Sequence, residues 1–155
     1  MSLSLNRLLY QLKNGNKDLH KLLRNYNNSD WNVYTRYNKY KYSPHIIYED
    51  CNVTAKVITW LPTQQTIVHG HRRYQECHYK VLVGNLTEYL YESNNLDLIK
   101  TNLYKYDDIG ACSSNNYHKI LNKSDNLSVS LHLYLKNNYM EEEVEEEVEE
   151  EVEYI

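Results

Sequence analysis

The densest chemical segment of the chain is His69-Gly70-His71-Arg72-Arg73-Tyr74-Gln75-Glu76-Cys77-His78. In an extended stretch His69 and His71 project from the same face, so two imidazoles can converge on one metal ion. A third ligand must come from elsewhere, and His118 in Tyr117-His118-Lys119-Ile120 is a strand-borne candidate. Paired histidines also occur as ordinary surface residues. Neutral imidazoles suit iron, zinc, copper or nickel, so the ligand set does not name the metal. A second feature lies near residue 130. Leu127, Val129, Leu131 and Leu133 alternate with Ser128, Ser130, His132 and Tyr134. On a half-buried strand the polar row meets water; in a small barrel it lines a cavity and forms a hydrogen-bonded relay. Periodicity does not choose between the two.

These residues need elements to hold them. Leu5, Leu8, Leu9 and Leu12 form the apolar stripe of a short helix, Asn14-Gly15-Asn16 breaks it, and Leu19, Leu22 and Leu23 begin a second helix ending near Asn27-Asn28. From Val53 the period changes to alternation. Strands are predicted over Val53–Trp60, Thr66–His71, His78–Val83, Leu86–Tyr91, Asn102–Tyr106, His118–Leu121 and Leu127–Leu135. Gly84-Asn85, between two of them, reads as a two-residue hairpin turn. Many short strands behind a small helical cap suggest an all-β sandwich or barrel.

The 155 residues carry 17 Lys+Arg against 21 Asp+Glu, but the charge is divided. Ten of the acids fall in residues 141–155, an EEEV repeat read as an acidic, disordered tail, which leaves a body of 17 bases and 11 acids at +6. Residues 1–139 are expected to form one domain, with a helical cap over about 3–28 and the tail from 140 onward. No apolar run has the length of a membrane span and the start lacks a signal-peptide layout. Three cysteines do not make a secreted disulfide framework, so the cytoplasm is the expected compartment. A charge of +6 with no recognised binding motif argues against a nucleic-acid role. With 17 Tyr, no Phe and only four Gly, the composition resembles that of an AT-rich genome and says little about function.

Taken in order, Trp60, then Ile67-Val68-His69-Gly70-His71, then Lys80-Val81-Leu82-Val83-Gly84-Asn85-Leu86, resemble the core of the cysteine dioxygenases. Asp108-Ile109-Gly110, His118 with Asn122, and Ser128-Val129-Ser130-Leu131-His132-Leu133-Tyr134 resemble the second half of that core. The likeness covers roughly residues 3–135. It implies a cupin fold, a double-stranded β-helix or jelly-roll barrel, with one Fe(II) held by His69, His71 and His118. It also implies an oxidoreductase that adds both atoms of O2 to the thiol of L-cysteine, or a similar small thiol, to give a sulfinic acid. By the same likeness Ser130 holds His132, His132 orients Tyr134, and Tyr42 and Trp60 shape the substrate pocket.

Three departures from the family pattern bear on that expectation. Many animal members carry a Cys joined by a thioether bond to the relay Tyr. Counting back from Gly84 puts Cys77 there, whereas counting forward from His71 puts Glu76, where generic cupins keep a carboxylate ligand; one extra residue in Arg72–Gln75 reconciles the counts. The Arg that clamps the substrate carboxylate two residues after Tyr42 is Pro44, leaving His45, Arg72 or Arg73 as other sources of a cation. Finally, the strands that usually follow Tyr134 are replaced by the acidic tail. The alternative function is therefore a degenerate, non-catalytic metal-binding cupin acting as an interaction module, with a partner for the tail that the sequence does not name.

Overall fold

The structure, a computed structural model, describes residues 2–70, 74–112 and 116–137. His71, Arg72, Arg73 and the acidic tail lie outside the described residues. Two helices, α1 (Leu5–Lys13) and α2 (Leu19–Asn25), precede a 3-10 turn at Asp30–Tyr34. Ser4 and Asp18 start the helices by accepting from the amides of Arg7 and Lys21, which satisfies donors the first turns leave open. Eight strands follow: β1 (Ser43–Glu49), β2 (Val53–Trp60), β3 (Tyr74–Val83), β4 (Asn85–Tyr91), β5 (Leu98–Lys105), β6 (Ile109–Cys112), β7 (Tyr117–Leu121) and β8 (Ser128–Lys136).

The strands form two facing sheets, one ordered β1-β2-β8-β3-β6 and the other β5-β4-β7. The larger sheet has two buried faces. Its outer face presents Val53, Ala55 and Val57 of β2 and Val129, Leu131, Leu133 and Leu135 of β8 to the leucines of both helices. Its inner face, with Ile58, Trp60, Tyr79 and Val81, packs against Leu86 and Ile120 of the smaller sheet. Lys80 points outward and ties the cap down. Its buried ammonium donates to the carbonyls of Leu23 and Tyr26, at the C-terminal end of α2, and to Asn27 Oδ1; the Leu23 carbonyl also accepts from the Tyr26 amide. Among the described residues no helix is long and apolar enough to cross a membrane.

Three expectations change. Gly84-Asn85 is not a hairpin: β3 pairs with β8 and β6, while β4 pairs with β5 and β7, so the chain passes from one sheet to the other at Gly84. Gly84 has φ +73°, and a Cβ there would lie 2.4 Å from Ser128 Oγ, so this corner requires glycine. The stretch from Thr66 is not a regular strand; it meets β7 through the isolated bridges Gln65–Leu121 and His69–His118 and through bonds between Thr66 and Ile120. β1 and β6 are additional strands at the two edges of the larger sheet.

Candidate metal centre

Backbone pairing brings the first two imidazoles together. The amides of His69 and His118 each donate to the other residue's carbonyl at 2.9 Å, so the residues stand directly opposite one another with both side chains on the inner side. Their Nε2 atoms are 3.1 Å apart. His69 Nδ1 is 2.8 Å from the Ile67 carbonyl, which can only accept, so Nδ1 carries the hydrogen. His118 Nδ1 is 2.9 Å from Glu88 Oε2 and donates to it. In neutral rings both Nε2 atoms therefore direct lone pairs at the same space. Two nitrogens bound side by side on one metal at about 2.0–2.1 Å stand about 3 Å apart, so the pair fits a shared cation. His71, the third expected ligand, lies outside the described residues.

Glu88 was not singled out from the sequence. It sits on the inner face of β4 between Asn102 of β5 and Ile120 of β7 and is 2 % exposed. Burial by itself raises its pKa, but the hydrogen bond and charge of His118, with bonds from Asn102 and Tyr104, hold the carboxyl below its ordinary value. Glu88, Cys112 and His118 place ligand atoms within 4.8 Å of one another. Glu88 occupies the Nδ1 side of His118, so its geometry is that of a carboxylate orienting a ligating histidine from behind. Its parity with the buried Leu86 two residues earlier is the one sequence signal that could have found it.

The relay residues converge on the same space. Trp60 Nε1 donates to Ser130 Oγ at 3.0 Å, and Ser130 Oγ is 2.8 Å from His132 Nε2. Among the described residues His132 Nε2 is the acceptor within reach of the Ser130 hydrogen, which leaves the ring hydrogen on Nδ1. That nitrogen, 3.3 Å from Tyr134 Oη, then donates to the phenol and turns the Tyr134 hydrogen away from His132. Burial first, and then the charges of Lys56, His118 and His69, push the His132 pKa well below its ordinary value, so the ring is neutral. Tyr79 stacks on it at 4.9 Å and fixes its plane.

Cys77 is placed directly opposite Tyr134, and the two pack together with Tyr74. The β3–β8 register slips between Tyr74 and Glu76, so Gln75 is an extra residue taken up as a bulge. Glu76 consequently points to the outer face, where it bonds His78 Nε2 at 2.6 Å, and it does not reach the cavity. Tyr42 and Trp60 stack at 4.7 Å in the cavity wall. The cavity measures ≈ 80 Å³, several times the roughly 10–15 Å³ that one water needs, which suits a molecule of a few heavy atoms.

The profile of the family described as cysteine dioxygenase type I matches residues 4–139. Among curated proteins none matches. Solved structures are similar in fold. The protein TT1209 of Thermus thermophilus is 18% identical, with a TM-score of 0.60, covering 70% of this chain and 96% of its own. An uncharacterised protein with a double-stranded β-helix domain from Klebsiella pneumoniae is 15% identical, with a TM-score of 0.59 over 69% of this chain and 87% of its own. The Cnp3 cupin domain of Schizosaccharomyces pombe is 12% identical, with a TM-score of 0.55 over 63% of each chain. The fold is the expected cupin barrel, and a metal cofactor is what the family implies. The chain belongs to the cysteine dioxygenase type I family.

Proposed function

We propose that the protein is an Fe(II)-dependent thiol dioxygenase, with L-cysteine or a similar small thiol as substrate and a sulfinic acid as product. The observation that carries this reading is the meeting, in one small cavity, of two imidazole Nε2 atoms 3.1 Å apart and the Tyr134 end of the relay. Both oxygen atoms go to sulfur and the substrate supplies all four electrons, so no other reductant is needed. Iron held by His69, His71 and His118 would provide open positions for the thiolate and O2 and the means to pass the spin barrier of O2.

The remaining roles belong to the chain. Glu88 keeps the hydrogen of His118 on Nδ1 and so keeps Nε2 available as a ligand. His132, neutral and fixed by Ser130 and Tyr79, holds the phenol in place, and Tyr134 donates its hydrogen toward the substrate side. Tyr42, Trp60 and Ile58 exclude water around the thiol. Cys77 tunes Tyr134 and is placed to join its ring through a thioether bond; the two hydrogens lost from thiol and ring pass to O2. An intact mass lower by two hydrogens, lost in Cys77→Ser, is the expected signature.

The deciding experiment is O2 uptake by anaerobically Fe(II)-loaded protein given L-cysteine, 3-mercaptopropionate or cysteamine. One sulfinate formed per O2 consumed is the expected result. No uptake with any thiol, in protein holding one iron per chain, would move the assignment to a binding module, which the absence of a side-chain donor at Pro44 favours.

A further inference from the structure

The cavity contains a charge that this mechanism does not use. Lys56 lies in the middle of β2, directly opposite His132 on β8 and Ile46 on β1, and it shares the inner face with Ile58 and Trp60. It lines the cavity together with His69 and His118, and its Nζ stands 5.0 Å from the centroid of the Tyr134 ring. Among the described residues lining the cavity it is the only lysine or arginine. His45 does not serve: it pairs with Val57, faces the cap side and stacks on Tyr34 at 5.7 Å. Pro44, at the position of the family's carboxylate clamp, pairs with Ile58 two residues along from Lys56. A step of one strand and two residues is about 8 Å, a gap that a flexible four-carbon side chain largely spans.

We infer that Lys56 anchors the anionic end of the substrate in place of the missing clamp, which makes the substrate a small thiol bearing a carboxylate. The inference rests on the thiol-dioxygenase reading above. Charge supports it: a carboxylate brings a charge opposite to that of the Lys56 ammonium lining the cavity, whereas cysteamine would bring a second positive charge beside it. A lysine is also a point charge with no planar fork. It fixes the direction of a carboxylate less strictly than Arg, so L-cysteine and 3-mercaptopropionate are both accommodated while cysteamine is repelled.

The test is equilibrium binding under argon to the Fe(II)-loaded full chain, using 3-mercaptopropionate and cysteamine, so that the readout does not depend on turnover. Wild type is expected to prefer 3-mercaptopropionate. Lys56→Met should weaken its binding about tenfold to a hundredfold, the loss expected when a charge-assisted contact is removed. Lys56→Arg should retain most of the affinity, and Lys56→Glu should reverse the preference toward cysteamine. Melting temperature and one iron per chain establish that each variant is folded. If wild type binds 3-mercaptopropionate and both Lys56→Met and Lys56→Glu leave the ratio of the two affinities unchanged, the anchor is refuted and the dioxygenase reading stands. If iron-loaded wild type binds neither thiol, the dioxygenase reading fails and takes the anchor with it.

Discussion

On β8, Leu131 and Leu133 face the helices while Ser130 and His132 face the smaller sheet, and none of the four is more than 3% exposed. Burial therefore does not separate residues of the core from those of the proposed site here. The difference lies in how the polar groups on each face are satisfied. On the outer face Lys80 commits its ammonium to the carbonyls at the end of α2 and to Asp107, and Thr59 Oγ1 accepts from the Arg36 amide. On the inner face Trp60, Ser130, His132 and Tyr134 bond in sequence, and Glu88 holds His118, with both series of contacts ending at one cavity. A polar group that fastens two elements together is structural; a series of polar groups ending at open space positions chemistry.

That contrast is testable by disturbing each face separately. The largest effect on stability is expected from Leu131→Ala, which removes a fully buried side chain from the apolar face and should cost about 2–5 kcal/mol. Urea unfolding would measure it, and iron stoichiometry of the folded fraction should not change. Lys80→Met comes next. It removes the lysine donor from the Tyr26 carbonyl and leaves the Leu23 carbonyl with the Tyr26 amide alone, at about 1–3 kcal/mol in total, while thiol binding to folded protein stays at wild-type strength. If Lys80→Met lowered thiol affinity while the protein remained folded, the division between the faces would be wrong.

Glu88→Gln breaks the contrast from the other side. The amide fits the same volume, but it cannot accept from His118, Asn102 and Tyr104 together as the carboxylate does. Metal affinity, measured by competition with a chelator, should fall about 10–100-fold. Affinity equal to wild type would show that Glu88 does not orient His118.

The sequence made some of this legible and concealed the rest for physical reasons. β2 matches its predicted bounds, Val53–Trp60, and the spacing of Leu5, Leu8 and Leu12 located α1. The alternation on β8 identified its two faces but not their burial, because a strand covered by helices on one side and a sheet on the other carries the same pattern as one facing water. β1 and β6 were missed since edge strands need not be apolar; Pro44 and Ile46 sit where only one neighbour pairs. Glu88 and Lys56 escaped because a single charge within an alternating strand normally marks the solvent side. Only their parity with Leu86 and Trp60 places them inward. At Gly84 the sequence located a turn, and the clash with Ser128 Oγ explains the glycine, but which strands it joins depends on contacts far away in the chain.

The smallest effect is a pH dependence. His132 has a folded pKa well below 6.5, first because it is buried and then because Lys56, His118 and His69 lie near it. Below about pH 6.5 the unfolded chain takes up a proton at this residue that the folded chain does not, so its contribution to stability falls with pH by up to about 1.4 kcal/mol per unit. Above that pH the residue adds no slope. His132→Gln lacks the titrating group but also loses the bonds to Ser130 and Tyr134, so it should be less stable than wild type at pH 7. At pH 5 the wild type alone carries the proton penalty at this position, and the gap between the two should narrow by about 2 kcal/mol. Urea unfolding of both proteins with chelator present, at the two pH values, isolates this group because every other histidine is common to them. A gap that stayed constant would mean that His132 titrates in the fold as it does in water, so that below about pH 6.5 the relay carries a proton instead of holding Tyr134 with a neutral ring.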